Sequence, residues 1–221
     1  MPIGRLHVVT DTRPGRDPIR TVSAALDAGA PVVQVRGKQL TDRELYELAG
    51  RVAELCAAHG ALCVVNDRPD VALAVDAGGV HVGADDLPVP AARRVLGPCR
   101  VLGATARDVA TARSHEAAGA SYLGVGPAYA TTTKSGLPDP LGPAGVGAIA
   151  RAVTIARATR REARSSPNRN KRSASSRSGS VLTRVAAVLS PTLSPFGPCR
   201  PMRISSGPSD MKEKPRAGSS I

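Results

Sequence analysis

Aromatic residues are nearly absent: of 221 residues only 2% are aromatic, with no tryptophan, one phenylalanine and three tyrosines. Any core must therefore be built from Val, Leu, Ile and Ala, and stacking of nucleic-acid bases on aromatic rings is poorly supported. Cysteine is sparse too. Cys56, Cys63, Cys99 and Cys199 form no C-x-x-C pair and no zinc spacing, so they read as small buried hydrophobes in a reducing compartment. No apolar run approaches the ~20 residues that span a bilayer. Met1-Pro2-Ile3-Gly4-Arg5 leads into a strand-like run without a signal-peptide pattern, and the expected location is cytoplasmic.

Acidic residues are scarce only in the last third. The net charge of +12 suggests a polyanion binder until it is divided along the chain. Residues 1–153 carry 16 Lys/Arg and 15 Asp/Glu, whereas residues 154–221 carry 14 and 3. The basicity belongs to a tail. That tail holds 14 Ser and 7 Pro, a composition that cannot bury enough apolar surface to offset chain entropy. We divide the chain into a body, 1–153, and a basic Ser/Arg/Pro-rich tail, 154–221, expected to be disordered.

The body is a repeating unit. Apolar runs at Leu6–Thr10, Val32–Val35, Leu62–Val65, Gly79–Val82, Arg100–Gly103 and Tyr122–Val125 start 26, 30, 17, 21 and 22 residues apart, the scale of successive βα units. They are mostly continuous rather than alternating, as for parallel strands buried on both faces. Thr41-Asp42-Arg43-Glu44 is a capping box opening a helix that stops at His59-Gly60. A second helix begins at Asp108, buries Val109, Ala112 and Ala117, and ends at Gly119; a third starts at Gly142-Pro143 and runs to Val153. Nearly even spacing, without G-x-G-x-x-G after the first strand, favours a (β/α)8 TIM barrel over a doubly wound sheet. About six βα units are recognisable. A seventh strand is due near residue 155, and the sequence there turns to Arg/Ser-rich instead; Val181–Leu193 reads as a short helix with Val181, Val185 and Leu189 on one side.

Candidate site residues fall at C-terminal strand ends, where barrel enzymes place their chemistry. Gln34, Arg36 and Lys38 alternate where the second strand meets a helix, so an amide and two cations share one face. Asn66 and Asp67 end the third run; they either cap the helix after Arg68-Pro69 or face a ligand. His81 alone reads as a satisfied structural histidine, and Asp85-Asp86 as either a solvated turn or metal carboxylates. The fifth run closes on Thr105. The sixth passes Gly124-Val125-Gly126-Pro127 into Thr131-Thr132-Thr133-Lys134, either a polar loop or hydroxyls and a cation for phosphate. Several cations and two carboxylates on one rim suit Mg²⁺ bound to a diphosphate, and no protein nucleophile is needed.

These segments resemble the thiamine-phosphate synthase family. Val33-Gln34-Val35-Arg36-Gly37-Lys38 is similar to its Q-x-R-x-K segment, and Asn66-Asp67, Gly79-Val80-His81-Val82-Gly83 with Asp86, and Gly124-Val125-Gly126-Pro127 with Thr131–Lys134 match in order and spacing, over roughly residues 5–153. The resemblance implies a (β/α)8 barrel that joins a hydroxymethylpyrimidine diphosphate to a thiazole phosphate, forming thiamine phosphate and releasing diphosphate. It implies that Gln34, Arg36, Lys38, Asn66, Thr105 and Lys134 bind the pyrimidine diphosphate, with Arg36, Lys38 and Lys134 acting in catalysis. Thr131, Thr132 and Thr133 would contact the thiazole phosphate, and Asp67 and Asp86 would bind Mg²⁺; family spacing, not alternation, selects Asp86 over Asp85. Thr105 stands where the family often has Ser. The family's Gly-Gly loop after strand seven and Val-Ser segment ending strand eight have no counterpart here, which would leave strands one and six as open edges.

The partners expected are these small molecules, with no membrane and no nucleic acid, and the sequence leaves the oligomeric state open. Two alternatives compete: a thiazole-phosphate tautomerase on the same barrel, and a non-enzymatic protein whose tail binds polyanions. A shift of reading frame near codon 154 would account for the abrupt change in composition and for a chain inactive as written.

Overall fold

The computed structural model describes residues 3, 6–130, 139–161 and 184–189. Six strand–helix units come first, as the spacing predicts: β1 (Leu6–Val9), α1 (Pro18–Asp27), β2 (Val32–Val35), α2 (Asp42–Ala58), β3 (Leu62–Asn66), α3 (Pro69–Ala74), β4 (Gly79–Val82), α4 (Val89–Leu96), β5 (Val101–Ala106), α5 (Val109–Ala117), β6 (Tyr122–Val125) and α6 (Gly142–Ala152). Local chemistry starts the helices. Asp17 caps α1 by accepting from the Arg20 amide at 3.0 Å. Thr41 and Glu44 form the complete capping box of α2, and Asp108 caps α5 through the Thr111 amide at 2.7 Å. In α5 only Ala112 is fully buried; Ala117 is exposed, against expectation.

The six strands run parallel in chain order, each paired with the next. Val33, Val35, Val65, Val80, Leu102 and Leu123 join Val22, Leu26, Val52, Ala72, Ala92 and Ile149 of the helices in one buried layer around the sheet. Full burial of each Val or Leu side chain contributes about 1.5–3 kcal/mol. The barrel interior is different. Tyr122 fills it, and Gly103 and Gly124 leave the room: a Cβ on Gly103 would overlap the Tyr122 ring, and one on Gly124 would lie 2.9 Å from His81 Cε1.

The tail departs from expectation. A seventh strand does form: β7 (Ala156–Arg161) pairs parallel with β6 in the register Tyr122↔Ala156. The segment expected as a helix instead gives β8 (Arg184–Leu189), antiparallel to both β7 and β1. The ring closes, so β1 and β6 are not open edges, although a regular (β/α)8 barrel has eight parallel strands. The physical reason is that a ladder is made by backbone N–H and C=O groups, which any non-proline residue supplies; reading side-chain hydropathy misses it. Glu116 helps deliver β7. Its Oε1 accepts from the Thr154 amide (2.7 Å), the Thr154 hydroxyl (2.6 Å) and the Ile155 amide (3.0 Å). Burial raises this carboxyl, but those hydrogen bonds outweigh it and hold Glu116 below its ordinary value.

Cys56 and Cys63 are buried and free, as expected. Cys99 is exposed, so the buried-thiol reading fails there. Among the described residues no helix is long and apolar enough to cross a membrane.

Candidate active site at the strand ends

The C-terminal ends of β2 to β5 carry seven of the candidate residues: Gln34, Arg36, Lys38, Asn66, Asp67, Asp86 and Thr105. Gln34, the third residue of β2, donates from Nε2 to Asn66 Oδ1 at 2.7 Å, binding the ends of β2 and β3 by side chains. Arg36 follows β2, and its backbone is clamped by Thr10: the Arg36 amide donates to Thr10 Oγ1 at 2.8 Å, and that hydroxyl donates to the Arg36 carbonyl at 3.0 Å. Thr10 is almost fully buried, at 3% exposure. Lys38 Nζ lies 3.2 Å from Asp67 Oδ2, with the lysine half exposed and the aspartate largely covered.

Asp67 decides the capping question. It adopts φ 66°, the left-handed region that asparagine and aspartate tolerate better than other L residues. Its amide donates to the His81 carbonyl at 2.7 Å, and the following Arg68 amide donates to the Asn66 carbonyl at 2.9 Å. The N-cap of α3 is Arg68, without a side-chain cap. Asn66 and Asp67 therefore do not cap the helix; their side chains turn to Gln34 and Lys38.

Asp86 completes an acidic pair with Asp67. Its Oδ2 accepts from the Gly83 amide at 2.7 Å, an approach that a Cβ on Gly83, 2.8 Å from the same oxygen, would crowd. Burial first, then the hydrogen bond and negative charge of Asp86, push the Asp67 carboxyl up to about 6, against the opposing pull of Lys38. Asp86 is also penalised by burial, but the hydrogen bonds from Asp67 and the Gly83 amide hold it below its usual range. Two carboxylates facing each other beside one lysine make a site short of positive charge. Asp85 is exposed and outside the pair. Among the described residues no cluster of three or more His, Cys, Asp or Glu side chains exists, so a cation here would have two carboxylates and needs its other oxygens from elsewhere.

Thr105, near the end of β5, meets His81 across the sheet: His81 Nε2 lies 3.1 Å from Thr105 Oγ1, and His81 Nδ1 lies 3.0 Å from the Tyr122 hydroxyl. His81 is thus a satisfied structural histidine, as its sequence context suggests. Burial first, with His7 nearby, holds it down to about 4. His7 is likewise lowered to about 4 by burial, and its Nε2 has no hydrogen-bond partner. Its ring meets Tyr122 edge-on, centroids 5.1 Å apart.

Thr131, Thr132, Thr133 and Lys134 lie outside the described residues. The two ends of their segment are tied together: Arg107 donates to the Gly126 carbonyl at 2.8 Å and to the Asp139 carbonyl at 2.6 Å, while the Leu141 amide donates to the Pro127 carbonyl at 2.9 Å. Sequence reasoning missed Thr10, Arg107 and Tyr122. Thr10 was detectable as a lone hydroxyl ending an apolar strand; Arg107 and Tyr122 carry no local signal.

The family model described as thiamine monophosphate synthase matches residues 6–159. The thiamine-phosphate synthase of Salinispora arenicola is 60% identical over 156 residues, covering 69% of this chain and 75% of that protein. That of Moorella thermoacetica is 46% identical over 157 residues, covering 70% and 75%. Among solved structures, the thiamine phosphate pyrophosphorylase of Pyrococcus furiosus superposes with a TM-score of 0.61 at 35% identity, covering 68% of this chain and 71% of that one.

Proposed function

Because this chain belongs to the thiamine monophosphate synthase family, we propose that its strand-end cluster runs the condensation of a hydroxymethylpyrimidine diphosphate with a thiazole phosphate, yielding thiamine phosphate and diphosphate. The observation that carries the reading is the acidic pair Asp67–Asp86 beside Lys38, with Asp67 raised to about 6. Such a pair fits a divalent cation, and family membership implies Mg²⁺. Mg²⁺ commonly takes one or two carboxylates and completes its shell with phosphate and water oxygens, which agrees with a two-carboxylate site. Asp67 and Asp86 would hold it; when bound it supplies positive charge against the departing diphosphate.

The chain's own residues do the rest by binding and charge. Gln34 and Asn66, already fixed to each other, orient the pyrimidine diphosphate, and Thr105 adds a hydroxyl. Arg36, Lys38 and Lys134 neutralise the oxygens as the carbon–oxygen bond breaks, and the Thr10 clamp holds the Arg36 backbone in register. Thr131, Thr132 and Thr133 take the thiazole phosphate. No nucleophile is asked of the protein. The division into a catalytic body, 1–153, and an appended tail, 154–221, is part of the same reading, supported by a family match that stops at residue 159.

The test is diphosphate release by the purified 221-residue chain with Mg²⁺ and both substrates. Release that requires both is expected. Turnover of a thiazole phosphate alone would favour the tautomerase reading, and salt-sensitive polyanion binding without release would favour the tail.

A further inference from the structure

We propose that Tyr122 and His81 are positioning residues that orient the Thr105 hydroxyl as a hydrogen-bond donor into the site. The inference rests on the reading that Thr105 faces the pyrimidine diphosphate. It starts from a chain of polar groups of which the reaction as described uses only the last, Thr105. The Tyr122 hydroxyl, His81 and Thr105 are linked end to end at 3.0 Å and 3.1 Å.

The direction of the chain follows from its buried end. Tyr122 is 1% exposed, and a buried phenolic proton needs an acceptor. Among the described residues His81 Nδ1 is the acceptor within hydrogen-bond distance; the nearby His7 Nε2 is without a partner there. Nδ1 must therefore present a lone pair, which puts the ring's single proton on Nε2. Nε2–H then donates to Thr105 Oγ1 and occupies a lone pair of that oxygen. The threonine's own proton is left to point away from His81, and Thr105 is partly exposed, so it is free to meet a ligand. Without the tyrosine, His81 could accept from Thr105 instead and turn the hydroxyl into an acceptor, which repels diphosphate oxygens and ring nitrogens alike. Gly103 and Gly124 support this assignment, since their missing side chains are what admit the Tyr122 and His81 rings.

Nitrogen-15 NMR of the full chain, labelled at histidine and assigned by comparison with His81→Asn, reads the tautomer directly. The proton is expected on Nε2; a proton on Nδ1, on both nitrogens, or exchanging between them would overturn the proposal. Affinity for the pyrimidine diphosphate in Mg²⁺ supplies the second arm. Tyr122→Phe and Thr105→Val are each expected to weaken it about tenfold, the scale of one oriented hydrogen bond. The double variant should be no weaker than Thr105→Val, and Thr105→Ser should restore binding. Multiplicative losses in the double variant would overturn the coupling. Unchanged affinity in Thr105→Val, with the proton still on Nε2, would overturn the placement of Thr105 at the substrate and the donor role with it.

Discussion

Lys38 Nζ lies 3.2 Å from Asp67 Oδ2, yet Asp67 is held near 6 rather than lowered as a paired carboxylate would be. Burial and the Asp86 charge outweigh the lysine, so the pair remains short of cationic charge. Mg²⁺ and protons should compete for this pair. Mg²⁺ affinity in the presence of pyrimidine diphosphate is therefore expected to fall as pH drops through about 6. Asp67→Asn should lower it more than tenfold, as should Asp86→Asn. Calorimetric titration at pH 5.5 and pH 7.5 checks this; equal affinities at both would contradict it.

Lys38→Ala is expected to weaken pyrimidine diphosphate binding by about 1.5–3 kcal/mol, the value of a charge-assisted contact. Because Lys38 is half exposed, thermal stability should change little. Loss of folding without a specific loss of affinity would remove Lys38 from the site.

His7 sets an acid-stability slope. Burial keeps its imidazole from taking a proton until pH nears 4, whereas the unfolded chain takes one near 6.5. Between these values the unfolded state binds more protons, so His7 stabilises the fold above about 6.5 and that contribution is lost as pH falls towards 4. At about 1.4 kcal/mol per unit the ceiling is about 3 kcal/mol. His81 adds a contribution of the same sign, and Asp67 one of opposite sign. His7→Phe removes one titration and keeps a ring against Tyr122. Its denaturant midpoint should differ less between pH 7 and pH 5 than that of the parent chain; an unchanged difference would contradict the assignment.

Gly103→Ala is expected to cost about 1–3 kcal/mol by forcing the Tyr122 ring to move. A thermal melt measures it. A stability gain would mean that the barrel interior is looser than described.

Arg107→Ala should lower affinity for the thiazole phosphate about tenfold while leaving pyrimidine diphosphate binding nearly intact, because the guanidinium ties residues 126 and 139, which flank Thr131–Lys134. Equal loss for both ligands would indicate a general loss of structure.

The first six strands and the α2 capping box were legible because apolar runs and a Thr-x-x-Glu pattern are local signals. The same held for Gln34, Lys38, Asn66 and Asp67, whose positions at strand ends follow from strand spacing. What escaped was non-local. Helices α3 and α4, of 6 and 8 residues, are too short for periodicity to register. β7 and β8 form by backbone pairing of residues whose side chains look unsuited or helical. The His81–Tyr122 bond joins residues 41 apart, and no pattern within one segment announces it. Translation of codons 150–221 in the other two frames tests the origin of the tail: an apolar strand ending in Gly-Gly in one of them would mark a frame shift, and its absence from both removes that explanation.

The proposed Mg²⁺-diphosphate site at the mouth of this barrel stands or falls with Asp67 and Asp86. Titration of the full chain with the pyrimidine diphosphate, with and without Mg²⁺, tests it most directly. Mg²⁺-dependent binding is expected, weakened more than tenfold by Asp67→Asn while the protein stays folded. Equally tight binding without Mg²⁺, or in the folded Asp67→Asn variant with it, would remove the two carboxylates from the cation site.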